Sequence, residues 1–279
     1  MLRRRVRNEL RSARLGKDLT QEQVAAAMDW SLSKMNRIEK AKTGISTNDL
    51  KALLLFYGIT DRAEIAKLLD LAREARRPPW WQPYKDIAPT MLLELIDYES
   101  AASLISQFEP MVVPGILQTE DYARAVLQVF QGVGSSAERV PALVKLRTRR
   151  RDLLTEEGAP NFSFLLDESV IRRTAASAEV MAQQLAHLVD LAELPNVVIR
   201  VVPFAAGLHP GVKGAFKVIE FEGEPDESVA SIEGAGGDLL IEEPEGTRGY
   251  LDTFHRIEQM ALKPSETIDL LRKAAAGQA

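Results

Sequence analysis

Apolar residues recur every three or four positions through most of the first 76 residues, and this spacing predicts a run of five short helices. Val6, Leu10 and Ala13 share one face of a basic stretch over residues 2–14, which Gly16, Lys17 and Asp18 end. Thr20-Gln21-Glu22-Gln23 has the form of a capping box. A second helix therefore starts there and runs to Met28, with Val24, Ala25 and Met28 inward. Asp29 and Trp30 break it, and Ser31 caps a third helix whose inward positions are Met35 and Ile38. Lys42-Thr43-Gly44 reads as a loop. Thr47 or Asn48 caps a fourth helix over 48–57, ended by Gly58, and Asp61 opens a fifth over 62–76.

The pattern then changes. Three prolines fall within residues 78–83, and no helix continues through them. The expected organisation is a helical domain over 1–76, a Pro/Trp linker over 77–83 and a second domain over 84–279. In the second domain helices are predicted over 90–107, 119–131, 137–156, 178–193, 247–261 and 265–275. Strands are predicted over 162–167, 196–203, 214–221 and 228–233. Residues 196–203 are β-branched and almost continuously apolar, as a strand buried on both faces should be. Strand, helix, strand over 162–203 implies a parallel pair, and short Gly/Pro loops imply an antiparallel meander after it. The fold class is α+β: an all-α five-helix domain, then a mixed domain with about four strands flanked by helices.

Charge sharpens this division. Residues 1–77 carry 17 Lys and Arg against 10 Asp and Glu, a net of +7, whereas the rest of the chain carries 18 against 30, a net of -12. Only the first domain is thus suited to a polyanion. The basic N-terminus lacks the apolar segment of a signal peptide, and no apolar run reaches the roughly 18 residues of a membrane span. With no cysteine, disulfides and thiolate metal sites are excluded. The expected location is the cytoplasm, in association with the nucleoid.

Five short helices with a compact second and third suit DNA binding, one helix across the phosphate backbone and the next in the major groove. With Met35 and Ile38 inward, Leu32, Ser33, Asn36 and Arg37 turn outward as candidates for base contacts. Asn and Arg suit bidentate contacts to base edges, and Leu32 suits a thymine methyl. Arg14, Gln21, Ser31, Lys34, Lys42 and Thr43 are candidates for phosphate contacts.

Leu10–Arg14, Leu19–Ala25, Trp30-Ser31 and Ser33–Lys40 together resemble the Xre/Cro/repressor type of helix-turn-helix. The resemblance implies that Arg14 pairs with Glu39, which ends the recognition helix. Glycine commonly precedes that helix in the family, and Asp29 stands there in this chain. Further on, Phe108–Ala125 is similar to a motif of the WhiJ-like, antitoxin-like regulators of sporulating actinobacteria, as are Leu166-Asp167-Glu168 with Arg172-Arg173, Val201-Val202-Pro203 with Gly207, and Gly214-Ala215-Phe216. This second resemblance implies a repressor whose C-terminal domain binds a small partner protein encoded nearby.

The residues of that motif also have a local reading. Pro114-Gly115 makes a turn, Thr119 caps the next helix, and Tyr122 orients the turn. No enzyme is expected. His187, His209 and His255 lack metal-ligand spacing, and no Gly-x-Ser-x-Gly occurs. Gly234–Asp238 lacks the Lys-Ser/Thr of a phosphate loop, and helix capping accounts for Asp167. No cofactor or metal is expected. The expectation is a homodimeric regulator of double-stranded DNA, controlled by a small protein; the alternative is a C-terminal domain that senses a small molecule.

Overall fold

The computed structural model describes residues 2–39, 43–75, 79–131, 138–222, 228–234 and 239–277, with only the backbone at 2–5, 74 and 131. The chain divides into two units, 1–80 and 81–279. The division falls within the Pro/Trp stretch read as a linker, of which residues 77 and 78 lie outside the described residues.

Among the described residues the first unit has five helices: α1 (Leu2–Leu15), α2 (Gln21–Ala27), α3 (Leu32–Glu39), α4 (Thr47–Phe56) and α5 (Arg62–Glu74). Their apolar stripes meet in one core built from Val6, Leu10, Val24, Met35, Ile38, Leu50, Leu53, Leu54 and Leu68, among others. The start of α4 differs from expectation. Ser46 is the cap, its Oγ accepting from the Asp49 amide at 2.9 Å, while Thr47 already lies in the first helical turn. Tyr57, just past α4, is buried, its hydroxyl has no hydrogen-bond partner among the described residues, and burial pushes its pKa up.

The second unit is built on a six-stranded sheet in the order β3-β2-β1-β4-β5-β6. The strands are β1 (Leu104–Glu109), β2 (Asn161–Asp167), β3 (Val197–Val202), β4 (Phe216–Glu220), β5 (Val229–Ile232) and β6 (Leu239–Ile241). The first three are parallel, and β4, β5 and β6 follow as an antiparallel meander. Among the described residues seven α-helices complete the unit: α6 (Thr90–Glu99), α7 (Glu120–Gln131), α8 (Arg139–Arg151), α9 (Glu168–Arg172), α10 (Ala178–Leu191), α11 (Pro244–Glu258) and α12 (Pro264–Ala275).

The sheet thus has two more strands than the sequence pattern suggested. Residues 104–107, read as the end of a helix over 90–107, belong to the central strand β1; α6 stops at Glu99. The alternation of β1 is hidden because one face carries Ile105, Gln107 and Glu109, so polar residues occupy buried positions. β6 has only three residues, too few for any period to register.

One face of the sheet (Ile105, Phe162, Phe164, Leu166, Ile199, Ile219) packs with Tyr122 and Val126 of α7, Leu185 and Leu188 of α10 and Leu271 of α12. The other face (Phe108, Leu165, Val202, Phe216, Val218) packs with Phe254 and Ile257 of α11. The β3 edge is closed by the segment between α11 and α12. The Arg200 guanidinium donates to the carbonyls of Ala261 and Leu262, both at 2.8 Å, while the Val201 carbonyl accepts from the Leu262 amide at 2.8 Å and the Val201 amide donates to the Thr267 hydroxyl at 3.0 Å. An unpaired strand edge is thereby covered.

The turn holding Gly211 rests directly on Phe108. A Cβ at Gly211 would lie 2.4 Å from two ring carbons of this fully buried side chain. Gly211→Ala is therefore expected to destabilise the unit by about 1–3 kcal/mol, as overpacking of a filled core does. A chemical-denaturation midpoint equal to that of the parent chain would refute this contact.

Candidate nucleic-acid interface

The α2–turn–α3 pair is assembled by capping at both ends. Thr20 Oγ1 accepts from the Gln23 amide at 3.2 Å, and the Gln23 side chain accepts from the Thr20 amide at 2.8 Å. After α2 the Trp30 amide donates to the Ala25 carbonyl at 2.8 Å and the Asp29 amide to the Ala26 carbonyl at 3.3 Å. This is the Schellman closure, which needs one left-handed residue. Asp29 supplies it with φ 54°, where glycine carries no steric penalty. Asp29→Gly should accordingly raise stability by about 0.5–1 kcal/mol, seen as a higher melting temperature, since Asp is held in a conformation costly for a residue with a Cβ.

Ser31 caps α3 by accepting from the Lys34 amide at 3.1 Å. Met35 and Ile38 are buried, so α3 is anchored from behind. Leu32, Ser33 and Arg37 are exposed, and Asn36 is half-buried. Ser31 and Thr43 are exposed at the two ends of this surface. Lys42 lies outside the described residues.

Three of the phosphate candidates have other commitments. Arg14 is buried: its Nε and second terminal nitrogen donate to the two Glu39 oxygens at 2.6 and 3.0 Å, and its first donates to the Leu19 carbonyl at 2.6 Å. All its donors face inward, so Arg14 belongs to the pair with Glu39 and not to the phosphate surface. The hydrogen bond to Glu39 raises the guanidinium pKa above its ordinary value. Gln21 Nε2 donates to Glu39 Oε2 at 2.6 Å and is likewise drawn to that carboxylate. One buried glutamate therefore ties together the end of α1, the start of α2 and the end of α3. Lys34 Nζ lies 3.1 Å from an Asp49 oxygen and 4.0 Å from the centre of the Trp30 ring, which leaves it partly neutralised.

The second unit holds a polar constellation that no spacing in the sequence announces. Glu99 of α6 is fully buried between Arg150 of α8 and Lys217 of β4, bonded to both. Burial alone would raise its carboxyl, but the two cations outweigh burial and hold it at about 2. The Pro114–Thr119 segment lies above this group and is held by amides. Gln118 Nε2 donates to the Val113 carbonyl at 2.7 Å, while Gln184 of α10 donates to the Leu117 carbonyl at 2.8 Å and accepts from the Thr119 amide at 2.7 Å. Tyr122 accepts from the Val113 amide at 3.2 Å. Thr119 Oγ1 accepts from the Tyr122 amide at 3.4 Å, a weak cap.

The remaining polar candidates have structural partners. Asp167 caps α9 by accepting from the Ser169 amide at 2.8 Å, and its other oxygen meets His209 Nε2 at 3.1 Å. His187 contacts Arg151, and His255 contacts Glu258, each at 3.5 Å. Of Gly234–Asp238, residues 235–238 lie outside the described residues. Among the described residues no group of three potential ligands could hold a metal ion, and no helix is long and apolar enough to cross a membrane.

Residues 5–68 match a family described as a helix-turn-helix domain, which runs from within α1 to the middle of α5. Residues 92–273 match the family described as a domain of unknown function, DUF5753. The chain belongs to the DUF5753 family. No curated protein and no solved structure matches it. The DUF5753 domain thus includes the whole sheet, the Pro114–Thr119 segment and the Glu99 group.

Proposed function

We propose that this chain is a sequence-specific DNA-binding transcriptional regulator, not an enzyme, and that it represses transcription as a homodimer of the Xre type. The observation that carries this reading is α3: a helix clamped at one end by Glu39, anchored by Met35 and Ile38, and presenting Leu32, Ser33, Asn36 and Arg37 outward. Ser31, Thr43 and the N-terminus of α2 flank it as phosphate contacts. A dimer of such units reads an imperfect palindrome with half-sites about one helical turn apart.

Fluorescence anisotropy with the DNA upstream of the chain's own gene tests the reading. Arg37→Ala and Asn36→Ala should each weaken specific binding by roughly 1–3 kcal/mol, with affinity falling steeply as salt rises. Specific affinity unchanged in both variants removes α3 as the reader.

Control is assigned to the DUF5753 domain, in the WhiJ-like manner, through a small partner protein encoded nearby. Met111, Phe204, Leu208 and Val212 support this assignment. They are 59–87% exposed and follow the same ends of the parallel strands β1 and β3, and such an apolar surface suits a protein partner. Co-purification of the neighbouring small gene product with the parent chain, but not with Leu208→Glu, is the expected result.

A further inference from the structure

The segment between β3 and β4 is built with its polarity inverted. His209 and Gly211 are buried, while Phe204, Leu208 and Val212 are exposed. Polar bonds hold the segment in this arrangement, and three consecutive residues at the β2–α9 junction supply them. Asp167 Oδ2 meets His209 Nε2 at 3.1 Å, and Glu168 Oε2 accepts from the Phe204 amide at 2.7 Å. Ser169 Oγ donates to the Pro110 carbonyl, which fixes the chain just before the exposed Met111. Gly207 and Gly214, with φ 72° and 140°, turn the chain between these anchors, as residues lacking a Cβ can. The junction therefore gathers Met111, Phe204 and Leu208 at one end of the sheet. Single exposed apolar residues mean little, but four presented by tethered neighbouring segments mark a contact surface.

Charge indicates what covers this surface. Arg172, Arg173 and Lys213 are exposed on the same segments, and residues 110–119, 169–178 and 203–215 contain no Asp or Glu. Asp167 and Glu168 are occupied by the tethers. Glu168 Oε1 also accepts from the Arg172 guanidinium at 2.6 Å, which sets that cation beside Phe204. Arg173 and Lys213 make no hydrogen bond or ion pair among the described residues. This cationic rim lies in the acidic part of the chain, where residues 78–279 carry 18 Lys and Arg against 30 Asp and Glu. A second copy seated here through a two-fold axis would set the same cations against each other. DNA offers phosphates but no apolar surface broad enough for the four side chains.

Resting on the partner-protein reading above, we infer that this surface takes an acidic amphipathic segment of the partner. Apolar side chains of that segment cover Met111, Phe204, Leu208 and Val212, and its carboxylates meet Arg173 and Lys213. The apolar centre supplies affinity, and the rim selects the sign of the partner's charge.

The test is fluorescence anisotropy of the full chain with a labelled helical peptide that has a leucine face and a glutamate face. The same peptide with lysine for every glutamate, and vesicles of phosphatidylglycerol, are run beside it. The glutamate peptide should bind, more weakly as salt rises, and the lysine peptide should not. Leu208→Glu should weaken binding about tenfold or more. The double variant Arg173→Glu with Lys213→Glu should reverse the preference and take the lysine peptide. Both positions are exposed, so its melting temperature should match that of the parent. Equal affinity for the two peptides, binding of neither, or an unchanged preference in the double variant overturns the inference. Binding to vesicles without binding to the glutamate peptide overturns it too, and gives the surface to lipid. Co-purification of the neighbouring gene product that is lost in Leu208→Glu but kept in the double variant removes the acidic class and leaves the partner-protein reading standing. Its absence from the parent chain removes that reading itself.

Discussion

Glu99→Gln is expected to destabilise the DUF5753 domain by about 3–5 kcal/mol, because removing one partner of a buried ionic group leaves the others charged and unpaired. Here two cations are left. Arg150 and Lys217 both lose their only short carboxylate contact among the described residues, inside a core where neither can reach water. The loss should be read as a lower denaturant midpoint with an unchanged slope. A loss below about 1 kcal/mol, typical of an exposed pair, would mean that the group is solvated in solution. Acid sensitivity gives a second reading. The Glu99 carboxyl lies at about 2 in the folded chain against an ordinary 4.5. Its contribution is therefore present above pH 4.5 and is lost as pH falls towards 2. Glu99→Gln should lack that part of the acid transition. Glu109 acts with the opposite sign: raised to about 8, it favours the fold below pH 4.5 and withdraws that support as pH rises to 8.

Glu39→Ala is expected to have a comparable effect on the helix-turn-helix unit. It strands the buried Arg14 guanidinium and removes the acceptor of Gln21, again at about 3–5 kcal/mol, a large part of the 5–15 kcal/mol typical of a folded domain. Three helices lose their shared tie, so DNA binding should fall together with thermal stability. Arg37→Ala separates the two effects. Its side chain is exposed, so stability should stay within about 0.5 kcal/mol of the parent while DNA affinity drops. A double variant, Arg14→Met with Glu39→Leu, should recover most of the lost stability, since apolar replacement of a whole buried pair is commonly neutral or favourable. If Glu39→Ala unfolds at the parent temperature, the clamp does not hold α3.

What could be read from the chain follows from the range of the forces involved. The five N-terminal helices were legible because their apolar spacing, their caps and their left-handed stops act within a few residues. The outward set on α3 followed from Met35 and Ile38 by helical geometry alone. Strands β2 to β5 were legible from short runs of aromatic, aliphatic or β-branched residues between turn residues. β1 was not, because Gln107 and Glu109 occupy inward positions where the pattern expects apolar residues.

By itself the sequence determined the helix-turn-helix unit, the outward face of its third helix, and an α+β second domain rich in acidic residues. Only the tertiary structure decided where the buried charges meet. Glu99 finds Lys217 across 118 residues and Arg150 across 51, and no local rule of spacing extends that far. It also decided which polar side chains are occupied: Arg14 and Gln21 look like donors to phosphate until a glutamate from another helix is placed beside them. Burial of a charge depends on every element packed around it, so it is a property of the assembled fold and not of any segment.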